Sequence, residues 1–325
     1  MCIRDRTPTV VPYTARGPVL FGARDGRVAW PAPSNPPLDT MPTPPQLPPP
    51  PGTGLLFAAD FGTYGMTRYQ ANNIADGDAV PDKDYGVCAD PAGTGRIVGW
   101  CDNANKKTNT NEYPRSQMLT RRWVYPAARG DAWGEYAQLT ELYIDPLSQL
   151  TSTSDWFAIQ GFHGPPFIGP SSTGLMVVFN PKTGKHYIRM GNVSGRVPES
   201  SAMVPLGSWF QVLIMFRYST AADGGWVDLY LNPTPDNTNG WKRIPVEGGY
   251  RNPFDMISAD EGDAWLTDHT RGPSYASWGC YGNHRALVYC RRHRLGTTVR
   301  SVMSADWGGS VAGVIFGSGI DIKSP

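Results

Sequence analysis

The strongest constraint on the fold of this chain is a succession of short strand-like runs, some alternating between apolar and polar residues and some apolar throughout, bounded by glycine, proline or asparagine. Residues 136–144 (Tyr-Ala-Gln-Leu-Thr-Glu-Leu-Tyr-Ile), 156–160, 175–179, 209–218 and 226–231 all have this character. A period of two sends successive side chains to opposite faces of an extended strand. Lys182-Thr183-Gly184-Lys185 reads as a hairpin tip leading into a strand over 186–190, and residues 219–225, ending in Gly224-Gly225, read as a turn. A first strand falls at 54–61, and the Asn-, Asp- and Gly-rich span after it, to Thr110, reads as loops. Neither a βαβ rhythm nor an internal repeat is visible, so the expected class is all-β, with two packed antiparallel sheets.

At 325 residues there is room for one large or two ordinary domains. Residues 54–325 are expected to form a single sandwich. Residues 41–53, with Met41-Pro42-Thr43-Pro44-Pro45-Gln46-Leu47-Pro48-Pro49-Pro50-Pro51, read as an extended Pro-rich linker. Before it, residues 1–40 are unassigned, with Val19-Leu20-Phe21-Gly22 and Arg27-Val28-Ala29-Trp30 read as two short strands of a stretch too short to bury a core alone. Residues 1–6 read as an assembly scar of a fragmentary metagenomic reading frame, which leaves the true N-terminus, and with it any signal or upstream domain, open.

No apolar run reaches the roughly 18 residues of a membrane span, and the first thirty residues lack the apolar centre of a secretion signal. Twenty-nine basic against 28 acidic residues leave a net charge of +1, so nucleic acid is not the expected partner. Eleven tryptophans and 15 tyrosines offer flat rings of the kind that stack on sugars. Apart from Cys2, the cysteines are Cys88, Cys101, Cys280 and Cys290. Short-range disulfides (Cys88 with Cys101, Cys280 with Cys290) and four free thiols are both open, whereas the absence of Cys-x-x-Cys and His-x-x-x-His spacing argues against zinc.

The segment Pro205-Leu206-Gly207-Ser208-Trp209-Phe210-Gln211-Val212, followed after a turn by Gly224-Gly225-Trp226-Val227-Asp228-Leu229-Tyr230-Leu231-Asn232, resembles a strand pair of the heparin lyase I and glucuronan lyase families. Three further stretches come in the order found in jelly-roll polysaccharide lyases, alginate lyases among them. Arg115-Ser116-Gln117-Met118-Leu119 is similar to an Arg-(Ser/Thr)-Glu-Leu-Arg strand, with Gln117 and Leu119 in place of the acid and the second arginine. Ile159-Gln160-Gly161-Phe162-His163 is similar to a Gln-x-His strand with one residue added. Tyr275-Ala276-Ser277-Trp278-Gly279-Cys280-Tyr281 resembles Tyr-Phe-Lys-Ala-Gly-(Val/Ile)-Tyr, with Ser277 for the lysine.

The resemblance implies a concanavalin-A-like jelly roll with a groove across its concave sheet, and β-elimination of a uronic-acid polysaccharide without a metal or organic cofactor. Arg115 and Gln160 would neutralise the uronate carboxylate, His163 would take the C5 proton or assist its transfer, and Tyr281 would serve as acid, or as base and acid, at the glycosidic oxygen. Gln117, Tyr275, Asn283 and Arg285 would be further substrate contacts. A regular strand would put Gln160 and His163 on opposite faces, and a bulge at Gly161 is expected to bring them together.

The rival reading is a noncatalytic glycan-binding or adhesion module of a cell surface or phage tail, which the changes at Gln117, Leu119 and Ser277 favour. A jelly-roll glycoside hydrolase would need a Glu-x-Asp-x-(x)-Glu strand, and Glu261-Gly262-Asp263 stops short of one. The run Arg291-Arg292-His293-Arg294 either grips a polyanion or forms a solvated basic edge. Either glycan reading implies an extracellular, cell-surface or virion setting.

Overall fold

The computed structural model describes residues 11–13, 17–21, 28–29, 54–59, 61–72, 81–104, 114–120, 135–163, 172–192, 199–217, 226–235, 240–244, 252–253 and 275–303. Three strands come first: β1 (Val11–Tyr13), β2 (Gly17–Phe21) and β3 (Val28–Ala29), antiparallel in that order. Then follow β4 (Leu55–Ala58), helix α1 (Phe61–Tyr64), β5 (Tyr69–Asn72), β6 (Tyr85–Ala89), β7 (Ile97–Asp102), β8 (Arg115–Thr120) and β9 (Glu135–Ile144). The middle of the chain gives β10 (Trp156–His163), β11 (Ser172–Asn180), β12 (Lys185–Asn192), β13 (Glu199–Met203), β14 (Trp209–Arg217) and β15 (Trp226–Asn232). The last elements are β16 (Lys242–Ile244), β17 (Asn252–Pro253), β18 (Tyr275–Gly282), β19 (Leu287–Gly296) and helix α2 (Val299–Val302).

These strands make the expected jelly-roll sandwich of two antiparallel sheets. A seven-stranded sheet runs β13-β12-β11-β10-β18-β8-β5, and a nine-stranded sheet runs β16-β15-β14-β9-β19-β7-β6, with β17 beside β15 and β4 beside β19. The Pro-rich linker lies outside the described residues, and among those residues no helix is long and apolar enough to cross a membrane.

Alternation decides which side chains fill the space between the sheets. From the nine-stranded sheet come Tyr136, Leu142 and Ile144 of β9, Phe210, Val212, Ile214 and Phe216 of β14, and Val227, Leu229 and Leu231 of β15. Met118, Phe157, Ile159, Leu175, Val177, Ile188, Met190 and Trp278 meet them from the seven-stranded sheet. Burying such aliphatic and aromatic surface is the main favourable term in the fold.

Into this apolar layer the same alternation inserts polar residues. Gln138 and Thr140 of β9 and His293 of β19 are wholly buried. The Gln138 amide nitrogen lies 2.9 Å from His293 Nε2, and the Tyr69 hydroxyl from β5 lies 2.9 Å from Nδ1 of the same ring. The amide donates, so Nε2 accepts and Nδ1 carries the proton toward Tyr69. Phe57 and Tyr69 pack on the ring, with centroids 5.4 and 5.8 Å away. Desolvation pushes the His293 pKa from 6.5 down to about 3, so the ring is neutral near neutrality.

The cysteines follow faces as well. Cys88 packs with Val98, Trp100 and Trp209 on the outer face of the nine-stranded sheet, while Cys101 belongs to the inter-sheet core. The short-range Cys88–Cys101 pairing is therefore excluded, because the two side chains leave the sheet in opposite directions. All four cysteines are free thiols. Cys280 donates to the Ser116 carbonyl at 3.6 Å and Cys290 to that of Arg292 at 3.2 Å. Burial raises the Cys101, Cys280 and Cys290 pKa values, keeping them protonated.

The basic run is divided by a bulge. Between Cys290 and Arg292 the pairing of β19 with β9 shifts by one residue. Arg291 and Arg292 consequently both reach the buried Glu141, with Arg291 Nη2 at 2.6 Å and Arg292 Nε at 3.4 Å, while His293 turns inward. Glu141 also accepts from Gln211 at 3.2 Å, and Gln211 accepts from Asn232 at 3.2 Å. Arg291 also lies 3.9 Å from Asp90, so these two arginines are neither a free polyanion grip nor a solvated edge: two buried carboxylates hold them.

The depressed His293 pKa sets a pH dependence. Between about 3 and 6.5 the unfolded state binds a proton that the native ring refuses, so the stability present above 6.5 is lost as pH falls toward 3. Denaturant titrations at pH 7, 6 and 5 are expected to show a steeper loss in the native protein than in His293→Asn. Equal slopes would mean that His293 is not the group responsible.

Candidate functional site

The three motif strands β8, β10 and β18 are neighbours in the seven-stranded sheet, in the order β10-β18-β8. On β8, Met118 faces the core, so Arg115, Gln117 and Leu119 lie on the outer face. On β18, Ala276, Trp278 and Cys280 face the core, and Tyr281 lies outward, directly opposite Arg115. The Arg115 guanidinium carbon stands 4.4 Å from the centre of the Tyr281 ring, a cation–π contact. Trp156 meets the same ring edge to face, with centroids 5.5 Å apart. Arg115, Tyr281 and Trp156 thus form one half-exposed cluster.

Gln160 is not part of that cluster. It is wholly buried, and its Oε1 accepts from the Thr140 hydroxyl at 2.6 Å, across the gap between the sheets. A bulge does exist in β10, but it lies between Ala158 and Gln160, upstream of Gly161. Ala158 is paired with the outward Tyr281, and Gln160 with the inward Trp278 and Leu175. The displaced bulge carries Gln160 into the core, where it cannot touch a substrate carboxylate.

The matching irregularity on β18 is Gly279, with φ of +131°. A Cβ there would come within 2.5 Å of the Ser116 carbonyl oxygen and 2.9 Å of Gln117 Cα, which only glycine avoids.

Position 163 pairs with Tyr275 and Ser172, whereas Tyr281 pairs with Ala158. The two positions are on the order of 15 Å apart along the strands. The side chains of His163 and Tyr275, and the segment holding Glu261 and Asp263, lie outside the described residues. Gln117 lies on the outer face, almost fully buried, with Oε1 lacking a hydrogen-bond partner. Ser277 is wholly buried, its hydroxyl likewise without a partner.

The other two expected substrate contacts are engaged elsewhere. Asn283 uses both ends of its amide on backbone, accepting from Trp156 N at 2.9 Å and donating to the Ser154 carbonyl at 2.8 Å. Its work is to pin the start of β10. Arg285 Nη2 is 3.6 Å from Asp102 Oδ2, a carboxylate on β7 of the nine-stranded sheet, so its charge already has an acidic partner.

Two outer-face residues escaped the motif reading. Trp156 was visible only as the start of an apolar run. Arg189 could have been found by alternation in His186-Tyr187-Ile188-Arg189-Met190, because the flanking Ile188 and Met190 are core residues. Among the described residues no group of three or more His, Cys, Asp or Glu side chains is placed to hold a metal.

No family model matches the chain, and no curated protein matches its sequence. Among solved structures it is similar to an alginate lyase of polysaccharide lyase family 7, at 12% identity and TM-score 0.40, covering 71% of this chain and 94% of that one. It is similar to a cellulose-induced protein at 8% identity and TM-score 0.44, covering 74% and 97% respectively. It is also similar to the binding domain of botulinum neurotoxin DC, at 9% identity and TM-score 0.37, covering 78% of this chain and 47% of that one. Likeness at this level leaves the functional reading to the side chains.

The placement of Gln160 is testable through stability. Thr140→Val keeps the shape but leaves the buried Gln160 amide oxygen unpaired, and is expected to cost about 1–3 kcal/mol in chemical denaturation. No loss would show that the contact across the core is absent in solution.

Proposed function

We propose that the outer face of the seven-stranded sheet binds an acidic polysaccharide, and that this chain is a carbohydrate-recognition module of jelly-roll form. The observation that carries the reading is the cluster of Arg115, Tyr281 and Trp156. Its guanidinium is held over an aromatic ring, with no carboxylate among the described residues to neutralise it. A planar cation beside exposed rings suits a uronate sugar, whose carboxylate takes charge-assisted hydrogen bonds while its ring C–H surface packs on the aromatic faces.

A second reading, β-elimination at the same place, is favoured by the contact between Arg115 and Tyr281. Loss of the C5 proton needs the carboxylate neutralised by a cation, and a phenol beside that cation would act as both base and acid. With Gln160 in the core and position 163 far along the strands, this route would rest on Arg115 and Tyr281 alone.

One pair of measurements separates the readings. Purified protein is incubated with glucuronan, alginate and heparin-type polymers while the ultraviolet absorbance of the unsaturated uronate product is followed, and binding is measured by calorimetry. Binding without new absorbance, weakened about tenfold or more by Arg115→Ala, is the expected outcome for a recognition module. Absorbance that grows and is abolished by Tyr281→Phe would replace it with the lyase. Neither binding nor absorbance would refute both.

A further inference from the structure

We infer that in an oxidising setting Cys101 and Cys280 join as a disulfide that staples the two sheets together, leaving Cys88 and Cys290 as thiols. Stacked sheets normally lie about 10 Å apart. Here Cα atoms of β7 come within 8 Å of those of β18 on the facing sheet. Two glycines allow the approach: a Cβ at Gly99 of β7 would lie 3.0 Å from Trp278 Cη2, and a Cβ at Gly279 of β18 would lie 3.2 Å from Cys101 Sγ. The Cys101 sulfur thus crosses the core to the residue beside Cys280. A disulfide needs Cα atoms usually about 4.4–6.8 Å apart, which ordinary stacking forbids and this close passage brings within reach.

Both thiols converge on Ser116, the register partner of Cys280 on β8. Cys101 interacts with the Ser116 side chain, and Cys280 donates to the Ser116 carbonyl at 3.6 Å. Of the groups whose charge acts on Cys280, Cys101 acts most strongly. The next register step along the same two strands is the Arg115–Tyr281 pair, so the bond fixes the floor beneath that pair, and the inference stands whether or not the pair takes a sugar.

The other pairings are less well placed. Cys88 lies on the outer face of its sheet, away from the three core thiols. Cys290 is opposite Gly99 and Cys101 is opposite Val288, which makes these two cysteines diagonal neighbours within one sheet. Diagonal positions stand about 7–8 Å apart, outside the range that a disulfide usually spans. The Cys290 thiol is turned instead to the Arg292 carbonyl of its own strand.

The oxidant is a small-molecule disulfide of the glutathione type. One protein thiolate attacks it, forming a mixed disulfide and releasing one small thiol; the second protein thiolate then displaces the other. Two protein S–H bonds and the S–S bond of the oxidant are exchanged for the Cys101–Cys280 bond and two small thiols. Both cysteines are wholly buried in the folded chain, where desolvation keeps them protonated. Exchange therefore takes place before the sheets close, and the closed core then excludes reductant.

The test refolds the reduced, denatured full-length chain in a mixture of glutathione and glutathione disulfide, and in parallel with reductant throughout. The folded fraction is isolated, unfolded, alkylated, digested without reduction and mapped by mass spectrometry. The expected result is a peptide holding Cys101 linked to one holding Cys280, with the alkyl label on Cys88 and Cys290. The bond closes a loop running from β7 to β18, so the linked protein is expected to melt about 5–15 °C above the chain refolded with reductant. Cys101→Ala and Cys280→Ala should each abolish that difference between the two refolding conditions, whatever their own melting temperatures. A link between any other two cysteines, label on all four in the folded fraction, or a linked protein that melts no higher than the reduced one would overturn the staple.

Discussion

The sandwich turns on one buried contact, the Thr140 hydroxyl given to the Gln160 amide across the space between the sheets. Polar groups taken out of water are costly unless they are paired, so this contact fixes how one sheet lies over the other more sharply than aliphatic packing does. The contact between Tyr69 and His293, backed by Gln138, is a second crossing of the same kind. Both depend on slips in strand register. The bulge between Ala158 and Gln160 turns Gln160 inward, and the bulge after Cys290 turns His293 inward and leaves two adjacent arginines outside. What the outer faces can offer a ligand is thus a by-product of how the polar interior is satisfied.

The strands themselves were legible. The apolar runs 209–218 and 226–231, parted by a glycine-rich turn, are the pair now seen as β14 and β15, and the Lys182–Lys185 tip joins β11 to β12 as read. The inward and outward sets followed wherever a strand is regular, as at Ile188, Arg189 and Met190. Reading failed where regularity breaks. Nothing in Trp156-Phe157-Ala158-Ile159-Gln160-Gly161 announces the slip before Gln160, because its cause is the partner strand, where Gly279 takes up a conformation closed to other residues. Cys88 and Cys101 sit close in sequence and in neighbouring strands, yet their faces are set by register, which spacing alone does not reveal.

Of the candidate site, Arg115 and Tyr281 were placed together by their motifs, and the structure makes them direct cross-strand partners. Gln160, Asn283 and Arg285 were matched by residue type, and each is engaged in the architecture: one in the core, one on backbone, one with Asp102. Arg189 and Trp156 were passed over because no motif covers them. A site assembled from one residue per strand is visible only when the strands are laid side by side.

On the nine-stranded sheet Arg291 and Arg292 meet Glu141, and Arg243 meets Asp228. Arg115 of the seven-stranded sheet lies instead over the Tyr281 ring, 4.4 Å from its centre. Attraction to a ring quadrupole falls off faster with distance than attraction to a full charge. Arg115 is therefore held by contact alone: a change that tilts the ring, as at Trp156 packed edge to face on it, would release the guanidinium, whereas the pairs with Glu141 and Asp228 would still feel each other across a small gap.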